Sequence, residues 1–209
     1  TAAALDGLHR EHVVHLDLKP SNIMQRANGE IAFIDFGLSR HLQLPDLLKE
    51  EFRVPFGTAP YISPEQVRGV RTDKRSDLFA LGVLLYHLST GRRPFGNPRR
   101  TRGLRKRLYQ LAPPPRSFMP HYPPWLQEVV LKLLEADPAK RYQRASQVAY
   151  DLRNPLQIAL TSRAARTRFS PLSNALRWWS PFSRPRLRET EEPPDLLADA
   201  PIIMAAVDL

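Results

Sequence analysis

The sequence predicts a mainly α-helical domain that carries one small β-hairpin near its beginning. A long helix is predicted over residues 75–90, because apolar side chains occupy almost every face of it. A hairpin is predicted where Asn28-Gly29 separates two short apolar strands, since this dipeptide favours a tight turn. The chain of 209 residues with a hydrophobic fraction of 42% suits one domain with a core and an appendage.

The first elements are short. Residues 2–12 are expected to form the end of a helix. The two hairpin strands are predicted at residues 23–24 and 31–34, so Asp35 stands at the end of the second strand, a rigid position for a metal ligand. An irregular loop is expected over residues 37–60.

The remaining elements are predicted to be helices. Ser63 should cap a short helix whose first residue is Pro64. Helix 75–90 follows and ends at Gly91. Its buried side chains are expected to be Leu78, Phe79, Leu81, Val83, Leu84, Leu85 and Leu88. Later helices are predicted at residues 101–111 (basic), 125–135 and 145–152, with a Pro-rich connector over residues 113–124.

The composition changes after Asn154. Residues 155–200 are rich in Arg, Ser and Pro and have few periodic apolar positions, which predicts a linker or a disordered basic tail. The folded domain is therefore expected to span residues 1–154. Residues 201–209 are apolar and end in Asp-Leu, a pattern typical of the first strand of an α/β domain.

The formal net charge is +10, and the positive charges are unevenly placed. A short segment holds Arg92, Arg93, Arg99, Arg100, Arg102, Arg105, Lys106 and Arg107. Such a segment could meet nucleic acid, anionic lipid or an acidic substrate, or it could be a solvated surface. No nucleic-acid-binding motif accompanies it, so no specific nucleic-acid partner is predicted. The absence of Cys, of a long apolar run and of a visible secretory signal favours a cytoplasmic location without a membrane span.

The segment from His15 to Asn22, followed by Asp35-Phe36-Gly37, carries the chemistry of phosphoryl transfer. A hydroxyl that attacks ATP needs a carboxylate to orient it and accept its proton, which Asp17 can do. Lys19 can offer a positive charge to the transferred phosphate. Asn22 and Asp35 can supply oxygen ligands to Mg²⁺.

These residues resemble the catalytic loop and the metal-binding loop of eukaryotic-type protein kinases, the bacterial Hanks-type Ser/Thr kinases among them. Three further blocks carry the resemblance in the family's order. They are Gly57-Thr58-Ala59-Pro60-Tyr61-Ile62-Ser63-Pro64-Glu65, Ser76-Asp77-Leu78-Phe79-Ala80-Leu81-Gly82 and Asp137-Pro138-Ala139-Lys140-Arg141-Tyr142. Five blocks in order over the first 150 residues make the resemblance specific.

The resemblance implies the helical C-terminal lobe of a kinase, with ATP and Mg²⁺ as cofactors and a protein hydroxyl as substrate. Lys19 favours Ser/Thr specificity, and so does Thr58, whose hydroxyl in the family bridges the catalytic Asp and Lys. His15 is expected to support the metal loop, and Phe36 to be core-like, stacking beneath the spine of the lobe. Asp77 corresponds to the residue that holds the catalytic-loop backbone.

The resemblance also implies a buried ion pair between Glu65 and Arg141. The family's N-terminal lobe, with its Gly-rich loop, strand lysine and helix glutamate, has no counterpart before Asp17. The chain is therefore expected to lack half of the ATP cleft and to have negligible activity alone. Residues 201–209 are similar to the opening strand of universal stress protein domains, which implies a fused regulatory domain of that kind.

The sequence departs from the family at Leu16, where the family has an arginine that receives an activation-loop phosphate. Residues 40–57 contain no Ser, Thr or Tyr, so the usual phosphate acceptor is absent as well. We infer that activity is not gated by phosphorylation within this span.

Three other functions compete with that of a kinase. The first is a pseudokinase-like scaffold that only binds partners. The second is a small-molecule kinase of the aminoglycoside type, against which Lys19-Pro20, Ser63-Pro64-Glu65 and the Asp77 helix argue. The third is a basic nucleic-acid binder, whose binding would depend steeply on salt.

Overall fold

The computed structural model describes residues 1–46 and 57–169. The α-helices are α1 (Ala2–Arg10), α2 (Pro64–Val67), α3 (Arg75–Thr90), α4 (Thr101–Arg105), α5 (Pro124–Leu133), α6 (Ala145–Arg153) and α7 (Ser162–Ala165). The strands are β1 (Val13–Val14), β2 (Ile23–Gln25), β3 (Ile31–Phe33) and β4 (Arg40–His41). The predicted mainly helical fold with one small hairpin is confirmed.

Helix α3 forms the centre of the core. It begins and ends at the predicted residues, and Gly91 closes it in the left-handed conformation with φ of +68°. Gly82 lets α5 approach closely, because a Cβ at this position would lie 2.6 Å from the Cβ of Leu133. One predicted core residue is wrong. Leu88 is 76% exposed, because its side of the last α3 turn is left uncovered, whereas Ser89 in the same turn contacts Tyr122.

The predicted hairpin is present, with β2 and β3 paired antiparallel so that Met24 faces Ala32. Gly29 takes the turn position with φ of +83°. The segment after Asp35 is less irregular than predicted. Strand β4 pairs with β1, with Val14 opposite Arg40. Two-residue strands carry no periodic signal, so the sequence pattern could not indicate this pairing.

The basic segment forms a shorter helix than predicted. Helix α4 ends at Arg105, and residues 106–108 form a 3₁₀ turn. The next helix, α5, buries Val129, Val130 and Leu133, whose three- and four-residue spacing places them on one helix face.

The chain does not leave the lobe at Asn154. Helix α7 packs on α5, and the side-chain amide of Gln127 donates to the carbonyls of Arg163, Ala164 and Arg166. The Glu128 carboxylate accepts from the backbone N–H groups of Thr161 and Ala164. The Arg/Ser/Pro composition that predicted a linker therefore also covers a packed segment up to residue 166.

The rest of the predicted linker, residues 170–200, and the strand predicted at residues 201–209 lie outside the described residues, so both stay predictions. Within the two described ranges, none of the helices has the length and apolar character needed to cross a membrane.

Candidate active site

Asp17 is the centre of the candidate site. Its side chain is 7% exposed. The ammonium of Lys19 lies 2.6 Å from Oδ2, and the backbone N–H of Thr58 donates to Oδ1 at 2.8 Å. The Asn22 amide donates to the Asp17 carbonyl at 2.9 Å and to Oδ2 at 3.3 Å. Three of the residues predicted from the sequence therefore converge on one carboxylate.

Thr58 reaches Asp17 differently from what the resemblance implied. The contact that the structure shows is made by the backbone N–H and not by the hydroxyl. Gly57 makes this approach feasible, because its φ is +124° and a Cβ there would lie 3.3 Å from the carbonyl oxygen of Leu16. The backbone of this segment therefore touches the catalytic loop directly.

His15 joins the catalytic loop to the metal-binding loop, in line with its predicted supporting role. It is fully buried, and its Nδ1 accepts from the backbone N–H of Asp17 at 3.4 Å. Because Nδ1 accepts, Nε2 carries the proton and donates to the carbonyl of Ile34 at 3.2 Å. Ile34 also donates its own N–H to the carbonyl of Asn22 at 3.1 Å, so Asp35 directly follows a residue that is bonded to Asn22.

The catalytic-loop backbone is held by Asp77, as the resemblance implied. One carboxylate oxygen of this buried residue accepts from the N–H of Leu16 at 2.8 Å. The other accepts from the N–H of His15 at 2.8 Å and contacts the His9 ring at 2.9 Å. Leu16 has φ of +65°, a strained conformation for a residue with a Cβ. The hydrogen bonds around Leu16 hold it there.

Two residues of this framework were missed from the sequence. Gln66 donates to the carbonyl of Leu16 at 2.7 Å, and its amide oxygen accepts from the N–H of Ser63 at 2.9 Å. The spacing of Ser63 and Gln66 is that of a capping box, which could have identified Gln66. His9 is the other residue, and its position four residues after the buried Leu5 on α1 was the available signal.

Asn22 and Asp35 have donor atoms that fit a magnesium ion bound together with phosphates. The Asn22 amide nitrogen is engaged by Asp17, while among the described residues its oxygen receives only a 3.5 Å contact from the Ser21 hydroxyl. Asp35 is exposed at the end of the hairpin, with φ of +62°. No group of three or more His, Asp or Glu side chains suited to a metal occurs in the described ranges. Mg²⁺ commonly takes only one or two protein oxygens beside phosphate and water, so this small donor set suits it.

An exposed apolar face adjoins these two residues. Met24 is 53% exposed, Ile34 38% and Phe36 45%. Phe36 was predicted to be core-like, and that prediction is wrong, because almost half of the residue is exposed. The centroid of its ring lies 5.1 Å from that of His15. An apolar face beside oxygen ligands can receive a flat apolar group or a second folded unit.

The predicted buried ion pair is confirmed. The Arg141 guanidinium binds both oxygens of Glu65, at 2.5 and 2.8 Å. It also donates to the carbonyls of Glu135, Ala136 and Arg75. The pair joins the start of α2 to the chain that follows α5, and so fixes the segment that contains Thr58.

Comparison with known proteins agrees with this geometry. Residues 1–151 match the family model for the protein kinase domain. The chain is 37% identical over 149 residues to a probable serine/threonine-protein kinase of Streptomyces coelicolor, a match that covers 71% of this chain and 22% of that protein. It is 36% identical over 149 residues to the serine/threonine-protein kinase PknB of Mycolicibacterium smegmatis, with 71% and 24% covered. It is 39% identical over 161 residues to the serine/threonine-protein kinase Pkn1 of Myxococcus xanthus, with 75% and 22% covered. The chain thus spans less than a quarter of the length of these relatives.

Proposed function

Because the chain belongs to the protein kinase domain family, and resembles its bacterial Hanks-type Ser/Thr members, we propose that the intact protein transfers the γ-phosphate of ATP to protein hydroxyls. The observation that carries this proposal is the convergence of Lys19, Asn22 and the Thr58 N–H on the Asp17 carboxylate. This arrangement fixes a carboxylate beside a cation and an amide N–H donor, as positioning for phosphoryl transfer requires.

In the proposed mechanism Asp17 accepts a hydrogen bond from the attacking hydroxyl and takes its proton. The Thr58 N–H and the Asn22 amide hold the Asp17 carboxylate in one orientation, which lowers the cost of aligning it. Lys19 places positive charge where the transferred phosphate gains negative charge. Bound ATP and Mg²⁺ supply the phosphoryl group and neutralise its oxygens, and the Asn22 oxygen and Asp35 would hold the metal.

The 209 residues contain no Gly-rich loop, strand lysine or helix glutamate ahead of Asp17. We therefore propose that the 209-residue chain by itself has negligible kinase activity. The exposed apolar face of Met24, Ile34 and Phe36 supports this proposal, because an ATP cleft needs a second wall to exclude water from such a surface.

Asp17→Asn in the intact protein tests the proposed function. The amide cannot take a proton from the hydroxyl, so we expect the rate of ATP-dependent substrate phosphorylation to fall by a factor of about 100 or more. Glu30→Gln is a suitable control, because Glu30 lies on the exposed hairpin turn and should leave the rate unchanged. Binding of ATP by the intact protein without any transfer would instead favour a pseudokinase-like scaffold.

We also propose that phosphorylation within residues 40–57 does not control activity. Leu16 is buried and uncharged where the family has a phosphate-binding arginine. The segment that follows β4 contains a permanent negative charge, the carboxylate of Asp46, which pairs with arginine as a phosphate would. Both Asp46 oxygens accept from the Arg71 guanidinium, at 2.8 and 3.0 Å, and Arg40 lies 3.8 Å away. Arg71 also donates to the carbonyl of Leu38, so this ion pair ties down the chain after Asp35.

Phosphatase treatment of the intact protein tests this proposal. We expect the rate of substrate phosphorylation to stay unchanged, because the Asp46 carboxylate is permanent. Asp46→Asn should lower that rate, since Arg71 then loses its charged partner. Leu16→Arg should not make the rate depend on phosphorylation, because residues 40–57 offer no hydroxyl to phosphorylate. A Leu16→Arg variant that loses activity on phosphatase treatment, while the parent protein keeps it, would contradict the proposal.

A further inference from the structure

A surface of one charge sign covers α4 and the residues beside it. The chain contains no Asp or Glu between Asp77 and Glu128, whereas many of its cations fall in this interval. The exposed cations on and around α4 are Arg99, Arg100, Arg102, Arg105 and Lys106, which we call the basic patch. The patch is therefore charged without any neutralising residue near it in the sequence.

The fold turns the basic patch outward. Arg102, Arg105 and Lys106 are three and four residues apart, so they lie on the same side of the helical turn. The other side carries Leu104 and Leu108, both buried. This apolar side packs towards α2, which contacts both α4 and the turn after it. The basic patch is thus the solvent-facing side of α4 and the turn after it, whose buried leucines hold them to the lobe.

The charges of the basic patch do not stabilise the fold. Within the described ranges, none of its side chains is paired with a carboxylate. Like charges at helical spacing of three or four residues repel one another and disfavour the helix. A binding partner of negative charge would remove this repulsion.

A buried arginine connects the patch to the catalytic segment. Arg107 follows directly after Lys106, is 1% exposed and donates to the carbonyl of Pro60 at 3.1 Å. Burial lowers its pKa to about 10, so the guanidinium stays charged at neutral pH. Pro60 is two residues from Thr58, whose N–H binds Asp17. The basic patch therefore lies at the edge of the segment that positions Asp17.

We propose that the basic patch docks an acidic segment of a protein substrate beside the hydroxyl to be phosphorylated. The proposal deepens the proposed kinase function and rests on it. Guanidinium groups pair with carboxylates through two parallel hydrogen bonds, so several exposed arginines favour a partner rich in Asp and Glu. Single-stranded nucleic acid would also need exposed aromatic rings for stacking. The two aromatic residues nearest to the patch in the chain, Phe95 and Tyr109, are both partly buried, and Phe95 is stacked on Phe79 with ring centroids 5.6 Å apart.

Binding of a labelled acidic peptide to the full chain tests the docking surface without needing catalysis. The acidic peptide should bind, and a peptide with Asn and Gln in place of Asp and Glu should not. The triple variant Arg99→Gln, Arg102→Gln, Arg105→Gln should raise the Kd of the acidic peptide about tenfold. The control variant Lys140→Gln, Arg144→Gln, Arg153→Gln removes the same charge from exposed positions around α6 and should leave the Kd close to its original value.

Three results would overturn the proposal. The first is an equal loss of binding in the two triple variants, which would mean a general charge effect. The second is equal binding of the acidic and the neutral peptide. The third is tighter binding of single-stranded DNA or of phosphatidylserine vesicles than of the acidic peptide, where the Arg99, Arg102, Arg105 variant loses that binding and the control variant keeps it. That result would assign the surface to nucleic acid or to a membrane.

A kinetic measurement separates this proposal from the kinase function. In the intact protein the patch variant should raise the KM for an acidic substrate and leave kcat unchanged, because the patch side chains bind the substrate without touching the reacting atoms. Peptide binding without phosphoryl transfer would contradict the kinase function alone. Phosphoryl transfer with no preference for acidic substrates would contradict the docking surface alone.

Discussion

Arg141→Met is expected to lower the free energy of unfolding of the chain by about 3–5 kcal/mol. Methionine fills a similar volume but leaves the Glu65 carboxylate buried without its charged partner. The carbonyls of Glu135, Ala136 and Arg75 lose their donor in the same variant. Urea denaturation followed by circular dichroism measures the change.

The exposed pair of Arg26 and Glu30 provides the control. Arg26→Met should lower the free energy of unfolding by about 1 kcal/mol or less, because both side chains of this pair are solvated and their attraction is screened by salt. The double variant Arg141→Met, Glu65→Leu should recover part of the loss, since it leaves no buried charge. A cost for Arg141→Met no larger than that of Arg26→Met would show that the buried pair does not stabilise the lobe.

Asp77→Ala is expected to lower the free energy of unfolding by a similar amount, about 3–5 kcal/mol, and also to impair the candidate active site. The substitution removes the acceptor of two buried backbone N–H groups and the partner of His9. Each unsatisfied buried donor costs about 1–3 kcal/mol. Leu16 would then lose one restraint on its left-handed backbone, and Asp17, the next residue, would no longer be held towards Thr58.

Two measurements distinguish this role from simple helix capping. Asp137→Ala is the matched variant, because Asp137 accepts from a single backbone N–H at the start of a 3₁₀ turn, and it should cost about 1 kcal/mol. In the intact protein Asp77→Ala should also lower kcat, whereas Asp137→Ala should not. Equal losses of stability in the two variants, with kcat preserved in both, would mean that Asp77 only caps α3.

The candidate site was predictable because its residues lie in short contiguous motifs. Asp17, Lys19 and Asn22 stand within one loop, so their convergence follows from local sequence. Asp77 and Arg141 are far from their partners in the chain, and they were predictable only through the resemblance to a family. For the fold, α3 was predictable to the residue, since its apolar side chains and Gly91 mark both its burial and its end.

What the sequence could not indicate depends on neighbours distant in the chain. The exposure of Leu88 and Phe36 reflects which surfaces the other elements leave uncovered, and periodicity does not encode that. The contact of Thr58 through its backbone depends on the close approach of Gly57 to the Leu16 carbonyl, far earlier in the chain. Helix α7 is short, and its hydrogen bonds to Gln127 and Glu128 overcome a composition typical of a linker.

The packing of α7 bears on where this domain should be cut for laboratory work. A fragment stopped at residue 151, where the match to the family model ends, would remove the α7 neighbour of α5. Gln127 and Glu128, both buried in the full lobe, would then lose their backbone partners and meet water, which lowers the stability of the fragment. Recombinant fragments that continue to residue 169 keep α7 packed on α5 and are therefore better suited to expression and purification.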